Sequence, residues 1–128
     1  MKKEVVAENA QSAKRLLSQA IVSNGMVYTA GFIHMTPEGI LVGDSVEAKL
    51  AQVMTNIKNV LHAAGSDLSD VVKAPIYVTD MSFVPELNKH YVTYFDTPLP
   101  AREAVQVSAL PLGADIEISV IAEVKNEG

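Results

Sequence analysis

Apolar residues fall at Val46, Leu50, Val53, Met54, Ile57, Val60, Leu61 and Ala64. This is the 3.6-residue period of an amphipathic helix over about five turns, and it predicts a helix from Ser45 to Ala64. Asp44 stands where an N-cap belongs, with Glu47 three residues on, and Gly65 occupies the left-handed position after the last turn. A second stripe, Val84, Leu87, Tyr91, Tyr94 and Phe95, predicts a helix from Phe83 to Phe95. Ser82 caps it, Pro85 is tolerated in its first turn, and Asn88 lies at the edge of its apolar face.

Strands account for the rest. Ala20–Ser23 and Val27–Thr29 flank an Asn24-Gly25 turn and read as a hairpin. Val71–Thr79 is apolar on both faces, as a central strand is, although Pro75 inside it calls for a bulge or an edge. Ala101–Ala109 and Asp115–Val124 read as a second hairpin across Leu110–Ala114. The order is β-β-α-β-α-β-β, an α+β chain with a mixed sheet and two helices on one face. The other face is left bare, and a small sheet commonly covers such a face by oligomerising. Arg102, Gln106 and Ser108 share one side of their strand, Glu117 and Ser119 one side of the next, and this polar set is expected on the helix-free face.

Length and composition narrow the function. The 128 residues make one domain, 1–128, and 48% hydrophobic against 20% charged residues is globular usage. Cysteine is absent, which excludes disulfides, thiolate nucleophiles and cysteine-held metals. The net charge of −5 argues against a nucleic-acid partner. No apolar run approaches the ~20 residues that span a bilayer. Met1–Asn9 lacks the apolar core of a signal peptide and is not Arg-rich, so a cytoplasmic protein is expected.

No metal or cofactor is expected. His34, His62 and His90 form no H-x-x-x-H pair, and G-x-G-x-x-G, P-loop and G-x-S-x-G patterns are all missing. His62 and His90 read as solvated helix residues, while His34, at a strand end, is within reach of a site. Two residues carry more weight. Arg102 follows Pro98 and Pro100 at the start of a strand, where a guanidinium can present a rigid fork to a carboxylate. A structural ion pair is the plainer reading of the same residue. Glu117 sits between Ile116 and Ile118, which suits a raised pKa and acid–base work, or simply an exposed position on an alternating strand. In a tight hairpin Glu117 faces Ser108, and Arg102 lies six residues away, on the order of 20 Å. Within one chain the two then cannot share a small ligand; across two chains they can.

The segment from Pro100 to Ile118 resembles the signature of the RidA (YjgF-type) family: Pro100-Ala101-Arg102, then Leu110-Pro111, then Ile116-Glu117-Ile118. The similarity extends through Ser18–Ile21, Gln52–Leu61 and Asp70–Lys73, nearly the whole chain. This resemblance implies a chorismate-mutase-like homotrimer with clefts between subunits. It also implies hydrolysis of enamines and imines, such as 2-aminoacrylate from pyridoxal-phosphate enzymes, to 2-keto acids and ammonia. By position, Arg102 becomes the carboxylate-binding arginine and Glu117 the residue that activates water. Asn88 matches the asparagine of the second helix, Gly31 the glycine lining the cleft, and Ala104 a residue offering its backbone amide. Leu17, Ala30 and Phe32 stand where the family has tyrosine, serine and glutamine. They imply a more apolar pocket suited to imines with larger side chains. Beside the deaminase, a trimer that binds or senses a small carboxylate without efficient turnover stays open.

Overall fold

The computed structural model describes residues 1–13 and 16–125. The strands are β1 (Lys3–Val5), β2 (Ala20–Ser23), β3 (Met26–Thr29), β4 (Phe32–Ile33), β5 (Val71–Val78), β6 (Ala101–Gln106), β7 (Ile116–Ile118) and β8 (Ile121–Glu123). Helix α1 (Val46–Ala63) precedes β5, and α2 (Val84–Tyr91) joins β5 to β6. One mixed sheet runs β1-β2-β3-β8-β5-β7-β4, with β6 on the other side of β5. Strands β3 and β4 are one interrupted ribbon, and so are β7 and β8: β3 pairs with β8, β4 with β7. No helix among the described residues is long and apolar enough to cross a membrane.

The first helix forms where the stripe predicts, with one change of cap. Ser45, not Asp44, is the N-cap: its extended backbone lets the hydroxyl accept from the Ala48 N–H at 3.1 Å. At the other end Gly65 takes φ 79°, its N–H donates to His62 and that of Ser66 to Leu61, which closes the last turn. Leu50, Val53, Met54, Ile57, Val60 and Leu61 are buried against the sheet. Truncating one of them, such as Ile57, to alanine removes about 2–5 kcal/mol of packing. The second helix is shorter than predicted. It is flanked by 3-10 turns at Met81–Phe83 and Val92–Tyr94; Asp80 caps the first of these turns by accepting from the Ser82 N–H, and Ser82 does not cap α2, whose N-cap position is Phe83.

The predicted C-terminal hairpin does not form. Strand β6 pairs in parallel with β5, matching Ala74 with Arg102 and Tyr77 with Val105. Strand β7 pairs antiparallel on the other side of β5, matching Tyr77 with Glu117. The crossover through α2 places β6 beside β5, so β5 separates the two strands that are neighbours in sequence. Pro75 is accommodated in this central position without making it an edge. Ser119 donates to the Pro75 carbonyl, so the missing N–H of Pro75 faces the break between β7 and β8 and leaves no acceptor stranded.

Alternation along β5 then assigns the faces. Ala74, Ile76 and Val78 are buried on the helix side; Lys73, Pro75 and Tyr77 point the other way. Arg102, opposite Ala74, therefore lies on the helix side, and so does Gln106, whose amide oxygen accepts from the Met81 N–H. This corrects the expectation that Arg102 and Gln106 occupy the helix-free face. Glu117, opposite Tyr77, does lie there, with Tyr28 and Val105 exposed on the same face.

Candidate active site

Arg102 leaves β6 toward α2. Its Nη2 donates to Asn88 Oδ1 at 2.6 Å, and its guanidinium carbon lies 4.9 Å from the centre of the Tyr91 ring. Asn88 and Tyr91 are one helical turn apart, so α2 presents the amide and the ring to the same side chain. No carboxylate pairs with Arg102 among the described residues. The nearest in sequence, Glu103, points to the other face and is held by Lys73 at 2.8 Å. A guanidinium oriented by neutral groups keeps its full charge for an anion. Ala104 follows two residues on, on the same face. Val107 donates its N–H to Val78, so by alternation the N–H groups of Arg102 and Ala104 point to the free edge of β6.

Glu117 forms the second centre, on the opposite face. It is half-buried, it makes no hydrogen bond or ion pair among the described residues, and burial pushes its carboxyl above the usual glutamate range. Its carboxylate lies on Gly31: a Cβ there would sit 2.5 Å from Glu117 Oε2. A side chain at position 31 would push the Glu117 carboxylate out of this position.

Two buried polar groups hold this region in place. His34 is 2% exposed; its Nδ1 donates to the Val42 carbonyl at 2.8 Å, and its Nε2 accepts from the Asp115 N–H at 3.0 Å. Accepting at Nε2 requires the neutral ring, and burial lowers its pKa accordingly. His34 is thus a structural residue that fixes the chain two positions before Glu117. The Asp115 carboxylate is held down in pKa first by Lys49, and it also accepts from Thr79 Oγ1 at 3.0 Å. Asn56, fully buried in α1, donates to the carbonyls of Ile33 and Met35 and so anchors the segment that follows Gly31. A lone amide within an apolar helical stripe was the signal for this role.

Comparison with known proteins places the chain. Residues 7–124 match the family model described as endoribonuclease L-PSP. The chain is 44% identical over 124 residues to reactive intermediate deaminase A, chloroplastic, of Arabidopsis thaliana, covering 95% of this chain and 66% of that protein. It is 38% identical over 123 residues to the 2-iminobutanoate/2-iminopropanoate deaminase of Rattus norvegicus, covering 95% and 90%. The crystal structure of YyfA, a Rid-family protein of unknown function from Yersinia pestis, matches with a TM-score of 0.93 at 41% identity, over 97% of this chain and 100% of that one. The chain belongs to the RidA family.

The remaining sequence candidates in this RidA-family chain divide three ways. Ala30 is half-buried beside Gly31 and donates its N–H to the Gln19 carbonyl at 2.8 Å. Leu17 is exposed and lines a cavity of about 430 Å³ with Ala7, Ala10, Ser12 and Pro37, away from both Arg102 and Glu117. Phe32 is corrected: its ring is 2% exposed and packs in the main core, so it does not line a cleft. The cause is a one-residue slip between the β3–β8 and β4–β7 registers, which turns Phe32 toward α1 and opposite Ile118.

Proposed function

We propose that this chain hydrolyses small 2-imino carboxylates, the tautomers of reactive enamines, to 2-keto acids and ammonia, in clefts between the subunits of a homotrimer. The observation that carries this reading is the placement of two groups on opposite faces of one sheet: the Arg102 guanidinium without a carboxylate, and the desolvated Glu117 without a cation, among the described residues. Neither completes a site alone. A second copy laid against the bare face brings one chain's Arg102 to its neighbour's Glu117 and covers Tyr28 and Val105 at the same time.

In such a cleft Arg102 grips the substrate carboxylate through the N–H groups that Asn88 leaves free, and the Ala104 amide adds a further donor. Glu117 holds a water against the imine carbon and takes its proton as the oxygen bonds. The protonated imine is the electrophile, so the reaction needs no further activation of its carbon. Glu117 then returns that proton to the nitrogen of the carbinolamine, the C–N bond breaks to release ammonia as the hydroxyl passes its proton to Glu117, and the keto acid remains; ammonia and that proton leave as ammonium. Atoms balance as iminium plus water giving ketone plus ammonium.

Ala30, beside Gly31, carries no hydroxyl, which favours a second reading, binding of the carboxylate without efficient turnover. A coupled assay of ammonia release from imines generated in situ separates the two. The deaminase reading predicts release well above the buffer rate, lost in Arg102→Ala, from a particle of three times 13.7 kDa by light scattering. Carboxylate binding with only the buffer rate of release favours the second reading. A monomer by light scattering contradicts both. RNA cleavage in place of ammonia release would favour the activity named in the family model's description.

A further inference from the structure

The geometry points to Tyr91 as a positioning residue for Arg102, its ring face fixing the plane of the guanidinium that receives the substrate carboxylate. The inference rests on the reading of Arg102 as the carboxylate-binding group. One hydrogen bond, from Nη2 to Asn88 Oδ1, fixes one nitrogen and leaves the guanidinium plane free to turn about that contact. The ring, 4.9 Å from the guanidinium carbon, removes that freedom by closing one face. Tyr91 is itself immobile: it is 2% exposed, and its ring packs on Phe95 with centroids 4.9 Å apart.

Both groups that orient Arg102 are neutral. A carboxylate in either place would hold the guanidinium equally well but would cancel the charge the substrate needs. The π face and the amide oxygen orient without neutralising, and together they leave one edge of the fork open for a bidentate partner. Tyr91 is buried while Arg102 is partly exposed, so the ring covers one face of the guanidinium and leaves the other side accessible. The Tyr91 hydroxyl has no hydrogen-bond partner among the described residues. The ring face, not the hydroxyl, is therefore the part of Tyr91 that acts, and phenylalanine at this position would serve as well.

The test uses the full chain and pyruvate, a small 2-keto acid, as the probe. Dissociation constants by calorimetry are compared for the wild type, Tyr91→Phe, Tyr91→Leu, Arg102→Gln and the control Leu87→Val, which thins the core of α2 beside Tyr91. Tyr91→Phe is expected to bind within twofold of the wild type and to melt no lower. Tyr91→Leu is expected to bind about tenfold more weakly, the scale of a partly desolvated cation–π contact. It should raise KM while kcat falls less. Leu87→Val should lower the melting temperature without weakening pyruvate. A readout that needs no ligand accompanies these. The chain has two arginines, Arg15 and Arg102, hence two Nε–H signals, and Arg102→Gln assigns the second. That signal should carry a ring-current shift present in Tyr91→Phe and lost in Tyr91→Leu. If Arg102→Gln weakens pyruvate but Tyr91→Leu does not, or if Phe and Leu behave alike, the positioning role is wrong. If Arg102→Gln binds as tightly as the wild type, the carboxylate reading fails and the positioning role with it.

Discussion

Arg102→Ala and Glu117→Ala chains, each inactive alone, are expected to give an active protein when unfolded, mixed in equal amounts and refolded. Each single substitution removes one half of every cleft. Loss of the guanidinium leaves the substrate carboxylate unpaired, and kcat/KM should fall on the order of 100-fold or more. Loss of Glu117 removes the group that activates water, worth about 10²–10⁴-fold. In a ring where each cleft takes Arg102 from one subunit and Glu117 from the next, random mixing gives about one cleft in four with both residues intact. Roughly a quarter of wild-type activity should therefore return. A site contained within one chain predicts no recovery at all. The control is proof of subunit exchange, for example by mass spectrometry of tagged chains. Recovery absent despite exchange rejects the shared cleft.

Glu117→Gln is expected to cost activity and add stability. The Glu117 carboxylate is desolvated, without a hydrogen bond or cation among the described residues, so folding disfavours its charged form and raises its pKa. A carboxyl whose pKa is raised by folding contributes stability below its unfolded value, near 4.3. That contribution is lost as pH rises through the folded value. At pH 7 the wild type therefore carries a buried charge that glutamine does not. The variant should melt higher at pH 7–8, by a margin that solvent screening of this half-exposed group keeps small. The gain should vanish below about pH 4, where the carboxyl is protonated in both states. In the wild type the acid limb of kcat/KM should lie above the ordinary glutamate range, since the water-activating form is the carboxylate. Melts of both proteins from pH 3.5 to 8 check the first part, and a pH–rate profile the second. A lower melting temperature for Glu117→Gln at pH 7 would show that in the assembled protein a cation, such as the neighbouring Arg102, offsets the Glu117 charge, and would overturn this stability prediction.

The sequence showed the helices and both centres more clearly than it showed how the strands lie. The stripe of α1 and its Gly65 terminus are local features, set by a 3.6-residue period and one left-handed residue, and they appear as read. The position of β6 is not local. Two strands joined by a short Leu110–Ala114 connection read as a hairpin, yet the α2 crossover delivers β6 to the far side of β5. That single non-local choice moves Arg102 to the helix face. The structure separates Arg102 from Glu117 for a different reason: opposite faces of the sheet instead of distance along a hairpin. Phe32 was assigned to the pocket from the family resemblance alone; a one-residue slip between β3 and β4 turns its ring into the core. Tyr91 was visible only as a member of an apolar stripe. Its second role depends on Arg102 reaching over α2, which no period along the helix reveals.

The most direct test of the central claim is a crystal structure of the protein soaked with pyruvate. The account predicts a trimer in which each pyruvate carboxylate lies in the open fork of Arg102 of one subunit, with the keto carbon turned toward Glu117 of the next. Pyruvate held by Arg102 and Glu117 of the same chain, or bound away from both, would contradict it.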